Sequence, residues 1–366
     1  MKVCINIKFR EGPSGGGMRF SYNLKNYLTK NNISVVNTLA DNDINIILNV
    51  SPYPFIFLVS SFSFIDAYAY KCRHPNTIII QRINECDERK NTKFMNALLI
   101  KASHYADYQV YVSGWLKQNL IRSGMDPTLP SSVIFSGGDQ HIFNNNNLKR
   151  WNGQGPLKIV THHWSSNYEK GHDIYQQLDR ILDDPAYRDK YQFSFIGNVP
   201  SNLTYRNTTI IPPLNGQQLA DKLKEHHVYL SASRNEPGGM HIIEGGLCGL
   251  PLLYIRSGSL PEYSQGFGIE FTPKNFFNKL AEMYHTYEER TRVLPIYPHS
   301  ADKMATQYWQ LMQNLHNNST DHPLKTGGQY MWNIHGLLIL YSFLYIKSKI
   351  LMRIMKKCFR FLRPVS

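Results

Sequence analysis

Three observations predict an α/β protein built from two doubly wound, Rossmann-like domains that face a central cleft. Strand-like apolar runs alternate with helix-like stretches, the pattern of parallel sheets with crossover helices. The alternation comes in two series, separated by a polar, turn-rich stretch from Asn144 to Gly155 that opens with four consecutive asparagines. A length of 366 residues with 42% apolar content suits about two globular domains. The expected division is residues 1–150, then residues 151–321 with their last helix packing back on the first unit, then a basic amphipathic C-terminal tail over residues 322–366.

In the first series, Val3–Phe9, Ile33–Val36, Ile44–Leu48, Thr77–Ile80, Tyr108–Val112 and Val133–Phe135 read as strands, with helices near Met18–Lys30, Lys93–Tyr105 and Ser113–Ser123. The second series supplies strands at Leu157–Thr161, Tyr191–Ile196, Thr209–Ile211, Val228–Leu230 and Leu252–Tyr254. Its helices fall near Asp173–Asp183, Asn215–His226, Met240–Cys248 and Phe276–Thr291. Ligands of such sheets sit outside the carboxyl ends of the strands.

Five scattered cysteines without a Cys-x-x-Cys pair point to a reducing compartment and to no zinc site. The apolar run at Met1–Lys8 is too short for a signal peptide and reads as a first strand, so the body of the protein is expected in the cytoplasm.

The chemistry concentrates at residues 236–244, Glu-Pro-Gly-Gly-Met-His-Ile-Ile-Glu. Pro237, Gly238 and Gly239 require a loop, which places Glu236 just beyond the strand Val228–Leu230 and Glu244 one turn into a helix that starts near Met240. The N–H groups at that helix start, from Gly239 to His241, form an anion site suited to a phosphate or diphosphate. Carboxylates on either side accept hydrogen bonds from the hydroxyls of a ribose or a sugar ring. A capped helix with an acid at each end would carry the same residues. His162 and His163 have metal-ligand chemistry, but neighbours on a strand point to opposite faces and chelate one ion poorly.

The segment continues through Gly249-Leu250-Pro251, an apolar strand, and Gly258-Ser259-Leu260-Pro261-Glu262. Here the chain resembles the retaining glycosyltransferases of family 4, whose donor half carries a Glu, seven residues, Glu pattern, then Gly-x-Pro, a strand and a Gly-Gly-x-Pro-Glu-like loop. Ile134 to Phe143 resembles the connection that closes the family's first domain, and Gly15-Gly16-Gly17 its glycine-rich loop. The likeness runs in order over roughly residues 1–315 and implies the GT-B architecture.

By that resemblance, Glu236 contacts the donor sugar and Glu244 the ribose, and Lys170, in Lys170-Gly171, neutralises the diphosphate. The family's Arg a few residues earlier is missing, with Ser165 near its place. Either His162 or His163 supplies a donor there, or Arg234 compensates. Glu236, Lys170 and Arg234 are therefore the expected catalytic set. Gly238, Gly239, Met240, His241, Glu244, His163, Gly16 and Gly17 are the expected donor-binding set. Asn84, Glu85 and Asp87, directly after the strand Thr77–Ile80, are the expected acceptor side, with Asn84 and Glu85 where many members carry a histidine.

The implied reaction moves a sugar from a nucleotide-diphosphate-sugar co-substrate to a glycan or lipid-linked acceptor with retention at the anomeric carbon. No Asp-x-Asp triplet falls within these motifs, so neither a metal nor another cofactor is expected. A double displacement needs a carboxylate on the opposite face of the sugar. The sequence assigns none, which favours front-face attack. The second function class is a nucleotide-sugar or glycan-binding protein of the same fold without turnover, which Asn84 and Ser165 would suit.

From Lys325 to Ser366 the chain carries eight Lys or Arg and no acid, out of a net charge of +13. Aliphatic residues at three and four spacing between these cations describe an amphipathic helix on an anionic membrane face. The apolar stretch Tyr330–Ile346 includes Asn333 and His335 and is short for a span, so peripheral attachment at the inner face is expected. Aliphatic residues outnumber base-stacking ones there and no nucleic-acid-binding motif accompanies the charge, which argues against nucleic acid. Removing the segment after His322 should give a protein that no longer sediments with anionic vesicles. Salt should weaken binding of the full chain, by roughly 1 kcal/mol for each cation at the surface. Release only by detergent would show that the segment spans the bilayer.

Overall fold

In a computed structural model of the protein, the described residues are 1–10, 15–54, 56, 59–292 and 296–318. The expected membrane-binding tail lies outside them. Two six-stranded sheets, parallel at every pairing, carry the chain.

The first sheet contains β1 (Lys2–Ile5), β2 (Ser34–Val36), β3 (Ile46–Asn49), β4 (Ile78–Ile83), β5 (Tyr108–Tyr111) and β6 (Ser131–Val133), in the order β2-β1-β3-β4-β5-β6. Its helices are α1 (Gly16–Lys30), α2 (Phe64–Arg73), α3 (Asp87–Lys90), α4 (Met95–Ser103) and α5 (Gly114–Arg122). Helices on both faces bury both sides of the inner strands, so β3 and β4 open as unbroken apolar runs, Ile46 to Leu48 and Ile78 to Ile80, rather than alternating.

The second sheet contains β7 (Leu157–His163), β8 (Tyr191–Gly197), β9 (Thr209–Ile211), β10 (Val228–Ser231), β11 (Leu252–Ile255) and β12 (Gly268–Phe271), in the order β12-β11-β10-β7-β8-β9. Its helices are α6 (His172–Ile181), α7 (Pro185–Arg188), α8 (Gly216–Lys224), α9 (Met240–Leu247), α10 (Leu260–Ser264) and α11 (Phe276–Thr291). Strand order reverses between β1 and β3 in one sheet and between β7 and β10 in the other, and each reversal opens a crevice at the strand ends.

The first strand is shorter than the Val3–Phe9 expectation. Ile7 N–H turns back to the Ile5 carbonyl, and the Asn6 side chain takes over by accepting from Val50 N and Ser51 N. β12, α2, α3, α7 and α10 have no counterpart in the sequence reading. After the second sheet, α12 (Ala301–Asn317) returns to the first domain, where Met304, Ala305, Tyr308 and Met312 pack beside Phe20, Leu24 and Leu28 of α1.

The domains also meet through polar contacts. Glu262, at the start of α10, accepts from Gly114 N at 2.7 Å and Trp115 N at 2.5 Å, capping α5 of the other domain. The Tyr263 hydroxyl donates to Val112 O and accepts from Ser136 N, and Ser113 Oγ donates to Pro237 O. Glu262→Ala should remove about 2 kcal/mol from the urea-unfolding free energy, as expected for charge-assisted bonds to orphan helix N–H groups. The same variant should raise the radius of gyration in small-angle scattering. An unchanged radius would show that the remaining contacts hold the domains without Glu262.

Candidate functional site

The two crevices join in one cleft of about 560 Å³. From the first domain it receives Gly15–Gly17 at the start of α1, Asn84 and Glu85 after β4, and Arg89 and Lys90 on α3. From the second it receives His162 and His163 at the end of β7, Lys170, Pro213 to Asn215, and Glu236 to Glu244 except Gly239, Ile242 and Ile243.

Glu236 sits in the loop after β10. Its Oε2 accepts from Lys170 Nζ at 3.0 Å and Ser233 Oγ at 2.8 Å, and Arg89 Nε lies 3.4 Å from the same oxygen. The Ser259 N–H and hydroxyl both donate to the Glu236 carbonyl. Gly258 allows this approach: its φ is +59°, and a Cβ there would fall 2.4 Å from Glu236 N. Lys170 ends a single 3₁₀ turn, Tyr168–Lys170, that closes on Gly171. With φ at +101°, Gly171 packs so tightly on Ala232 that a Cβ would lie 2.4 Å away, which fixes Lys170 against the Glu236 loop.

Glu244, in α9, forms an ion pair with Arg19 of the first domain and a 2.7 Å hydrogen bond with His162 Nε2. His162 is held from its other nitrogen by the Tyr229 hydroxyl. His241 meets Ser231 Oγ at 2.7 Å, and His163 meets the Tyr175 hydroxyl at 2.9 Å.

Burial pushes the Glu236 and Glu244 carboxyls up, but the cations outweigh it: Lys170 and Arg89 hold Glu236, and Arg19 with His162 holds Glu244, below the ordinary range. Burial lowers Lys170 against the opposing pull of Glu236. Burial also drives His163 and His241 well down, so both rings are neutral at pH 7.

Of the residues singled out from sequence, Glu236, Glu244, Lys170, His163, Gly16, Gly17, Gly238, Met240, His241, Asn84 and Glu85 line the cleft. Three expectations need correction. Arg234 does not line it: both terminal nitrogens are taken by Asp173 at the start of α6, at 2.9 and 2.5 Å. Asp87 caps α4 instead, accepting from Phe94 N, Met95 N and Asn96 N. Gly239 lies behind the lining, and the expected free N–H of Met240 is taken by the Gly238 carbonyl.

Sequence reasoning missed Arg19, Arg82 and Arg89. Arg19 follows the glycine loop by two residues, a usable signal. Arg82, at the end of β4, and Arg89, beyond it, belong to one charged run that does not mark which of its members turn inward. The sequence also holds an Asp-x-Asp triplet outside the quoted motifs, Asp41-Asn42-Asp43, whose two carboxylates hold Lys2 at the start of β1. Among the described residues no group of three or more His, Cys, Asp or Glu is arranged to hold a metal, and no helix is long and apolar enough to cross a membrane.

No protein-family model and no curated protein matches the chain. Solved structures do. The chain is similar to sucrose-phosphate synthase from Thermosynechococcus elongatus, with TM-score 0.59, 14% identity, and 87% of this chain and 99% of that one covered. HepE from Anabaena in complex with UDP matches with TM-score 0.63, 12% identity and coverage of 86% and 100%. The lipopolysaccharide outer core galactosyltransferase WaaB in its apo form matches with TM-score 0.60, 12% identity and coverage of 86% and 99%. The architecture is therefore GT-B, two Rossmann-like domains across a cleft.

Replacing Glu236 by Gln leaves two nearly buried cations without their acid, which should cost about 3 kcal/mol of folding stability at pH 7. The folded-state carboxyl lies below its ordinary 4.5, so its contribution is full above that value and fades as pH falls through the depressed one. The gap between wild type and Glu236→Gln in urea titrations should therefore close under acid. A gap independent of pH would show that the ion pairs are not its source.

Proposed function

We propose that this chain is a glycosyltransferase that moves a sugar from a nucleotide-diphosphate-sugar donor to a glycan or lipid-linked acceptor, with retention at the anomeric carbon. One observation carries the reading: Lys170 and Arg89, from opposite domains, converge on a single oxygen of Glu236 in the cleft. Glu244 lines the same cleft one turn into α9, paired with Arg19 two residues beyond the glycine loop. The family resemblance and the GT-B fold support the same reading, and the HepE complexes with UDP and UDP-glucose make UDP the first nucleotide to test.

In this reading Lys170 and Arg89 shift from Glu236 to the diphosphate, where negative charge grows as the leaving group departs. Arg89 takes the place of the missing arginine near Ser165, a role that Arg234, held by Asp173, does not fill. Glu236 is freed to accept from hydroxyls of the donor sugar and Glu244 from the ribose. The acceptor oxygen attacks the anomeric carbon from the side of the departing phosphate. As the carbon–oxygen bond breaks, its electron pair stays on the phosphate oxygen, which takes the acceptor proton. Asn84 and Glu85 stand on the acceptor wall of the cleft. The basic, apolar segment after residue 322 supports work at an anionic membrane face.

A thermal-shift screen of nucleotide-sugars should find one that raises the melting temperature. Turnover of that donor should fall at least tenfold in Lys170→Ala, Arg89→Ala and Glu244→Gln, a loss of about 1.4 kcal/mol or more in transition-state binding. EDTA should leave it largely intact. Wild-type rates in all three variants would overturn the site. Donor binding without any transfer or hydrolysis would make the protein a nucleotide-sugar-binding relative.

A further inference from the structure

Arg82 is a cation of the cleft that the proposed reaction leaves without a role. Among the described residues, five Lys and Arg side chains line the cleft. Arg19 pairs with Glu244, Lys170 and Arg89 with Glu236, and Lys90 with Glu85 at 3.0 Å. Among the described residues, Arg82 has no carboxylate within ion-pair distance.

It stands near the outgoing end of β4, 3% exposed, with its guanidinium carbon 3.9 Å from the centre of the Phe20 ring. Nη2 donates to Ser136 Oγ at 3.3 Å, while Nε and Nη1 are buried without an acceptor. Burial opposes the charge of the group, and the Tyr308 hydroxyl beside it favours that charge. As a hydrogen-bond partner a neutral phenol meets one N–H and leaves the charge without a carboxylate.

Burying an arginine with unmet N–H groups destabilises the fold, and removing the charge would relieve the penalty. A planar guanidinium matches carboxylates and phosphates better than any other protein group does. The place is also telling. Ser136 Oγ would lie 3.3 Å from a Cβ on Gly238, so the guanidinium is one side chain away from the Pro237-Gly238 turn that carries Glu236. The donor diphosphate has its own pair of cations in Lys170 and Arg89.

We propose that Arg82 receives a carboxylate or phosphate carried by one of the two sugars that meet in the cleft, so that the donor sugar or the acceptor is acidic. This rests on the transferase reading above and adds the substrate class to it.

Calorimetric titration of the full-length protein tests both. UDP and GDP come first. The donor arm then compares UDP-glucuronate with UDP-glucose and their GDP analogues. The acceptor arm, with the bound diphosphate saturating, compares methyl glucuronide with methyl glucoside and glucose 6-phosphate with glucose. In one arm the acidic member should bind at least tenfold more tightly, and that arm identifies the source of the anion.

Arg82→Met should abolish the preference, leave diphosphate affinity within twofold, and melt no lower than wild type without ligand. If Arg82→Met does not fold, Arg82→Lys carries the test and should cut the preference several-fold through loss of the planar fork. No preference in either arm, a preference that survives the substitution, a loss of diphosphate affinity, or a lower melting temperature in a folded Arg82→Met would each overturn the assignment. Failure of UDP, GDP and the other common nucleoside diphosphates (ADP, CDP and dTDP) to bind overturns the transferase reading and this inference with it. Diphosphate binding without an acidic preference overturns the inference alone.

Discussion

The carboxylate of Glu236, held in common by Lys170 from its own domain and Arg89 from the other, is the constraint around which the cleft is organised. A buried acid survives as a carboxylate only when opposite charges meet it. The surrounding backbone is shaped to that end. Gly171 lets the Lys170 turn lie flat on Ala232, and Gly258 lets Ser259 grip the Glu236 carbonyl. Burial alone would neutralise the acid, and the cations alone would repel each other. Together the three groups form a charged knot that spans both domains and that an incoming anion with hydroxyls can take apart piece by piece.

The domain contacts around that knot are mostly polar. Glu262 on the α5 N-terminus, Tyr263 on the Val112 and Ser136 backbone, and Arg19 on Glu244 are directional bonds that water can replace. Each domain core is instead apolar and closed, with Phe193, Phe195 and Tyr229 in one and Phe20, Leu24 and Ile80 in the other. The apolar burial thus lies mainly within the domains, and the bonds between them around the cleft are directional.

Most of the fold was legible because parallel sheets leave blunt marks. Ile78 to Ile80 and Leu252 to Ile255 are buried on both faces and read as solid apolar runs. β12 was not, since an edge strand of four residues, Gly-Ile-Glu-Phe, buries only alternate side chains and has too little length to show a period. The Glu236 and Glu244 layout was legible because Pro237-Gly238-Gly239 leaves one backbone solution. Arg19 and Arg89 were not, because their roles arise only when distant segments meet; Arg19 stands 225 residues from Glu244. Arg234 and Asp87 misled for a shared reason. Sequence placed them on loops beside the cleft, but helix starts nearby had prior need of a partner: Arg234 bonds Asp173 in the first turn of α6, and Asp87 serves the bare N–H groups of α4.

The path of α12 sets a direction for the whole particle. The chain enters the second domain near residue 150, yet it leaves the described structure at Asn318 from the surface of the first, with Leu311 and Leu315 still packed in the first domain's core. Whatever follows is tethered to the half that carries Asn84, Glu85 and Arg82. Were that segment to hold a lipid surface, the first domain would be the tethered half, and the second would reach that surface only through the first.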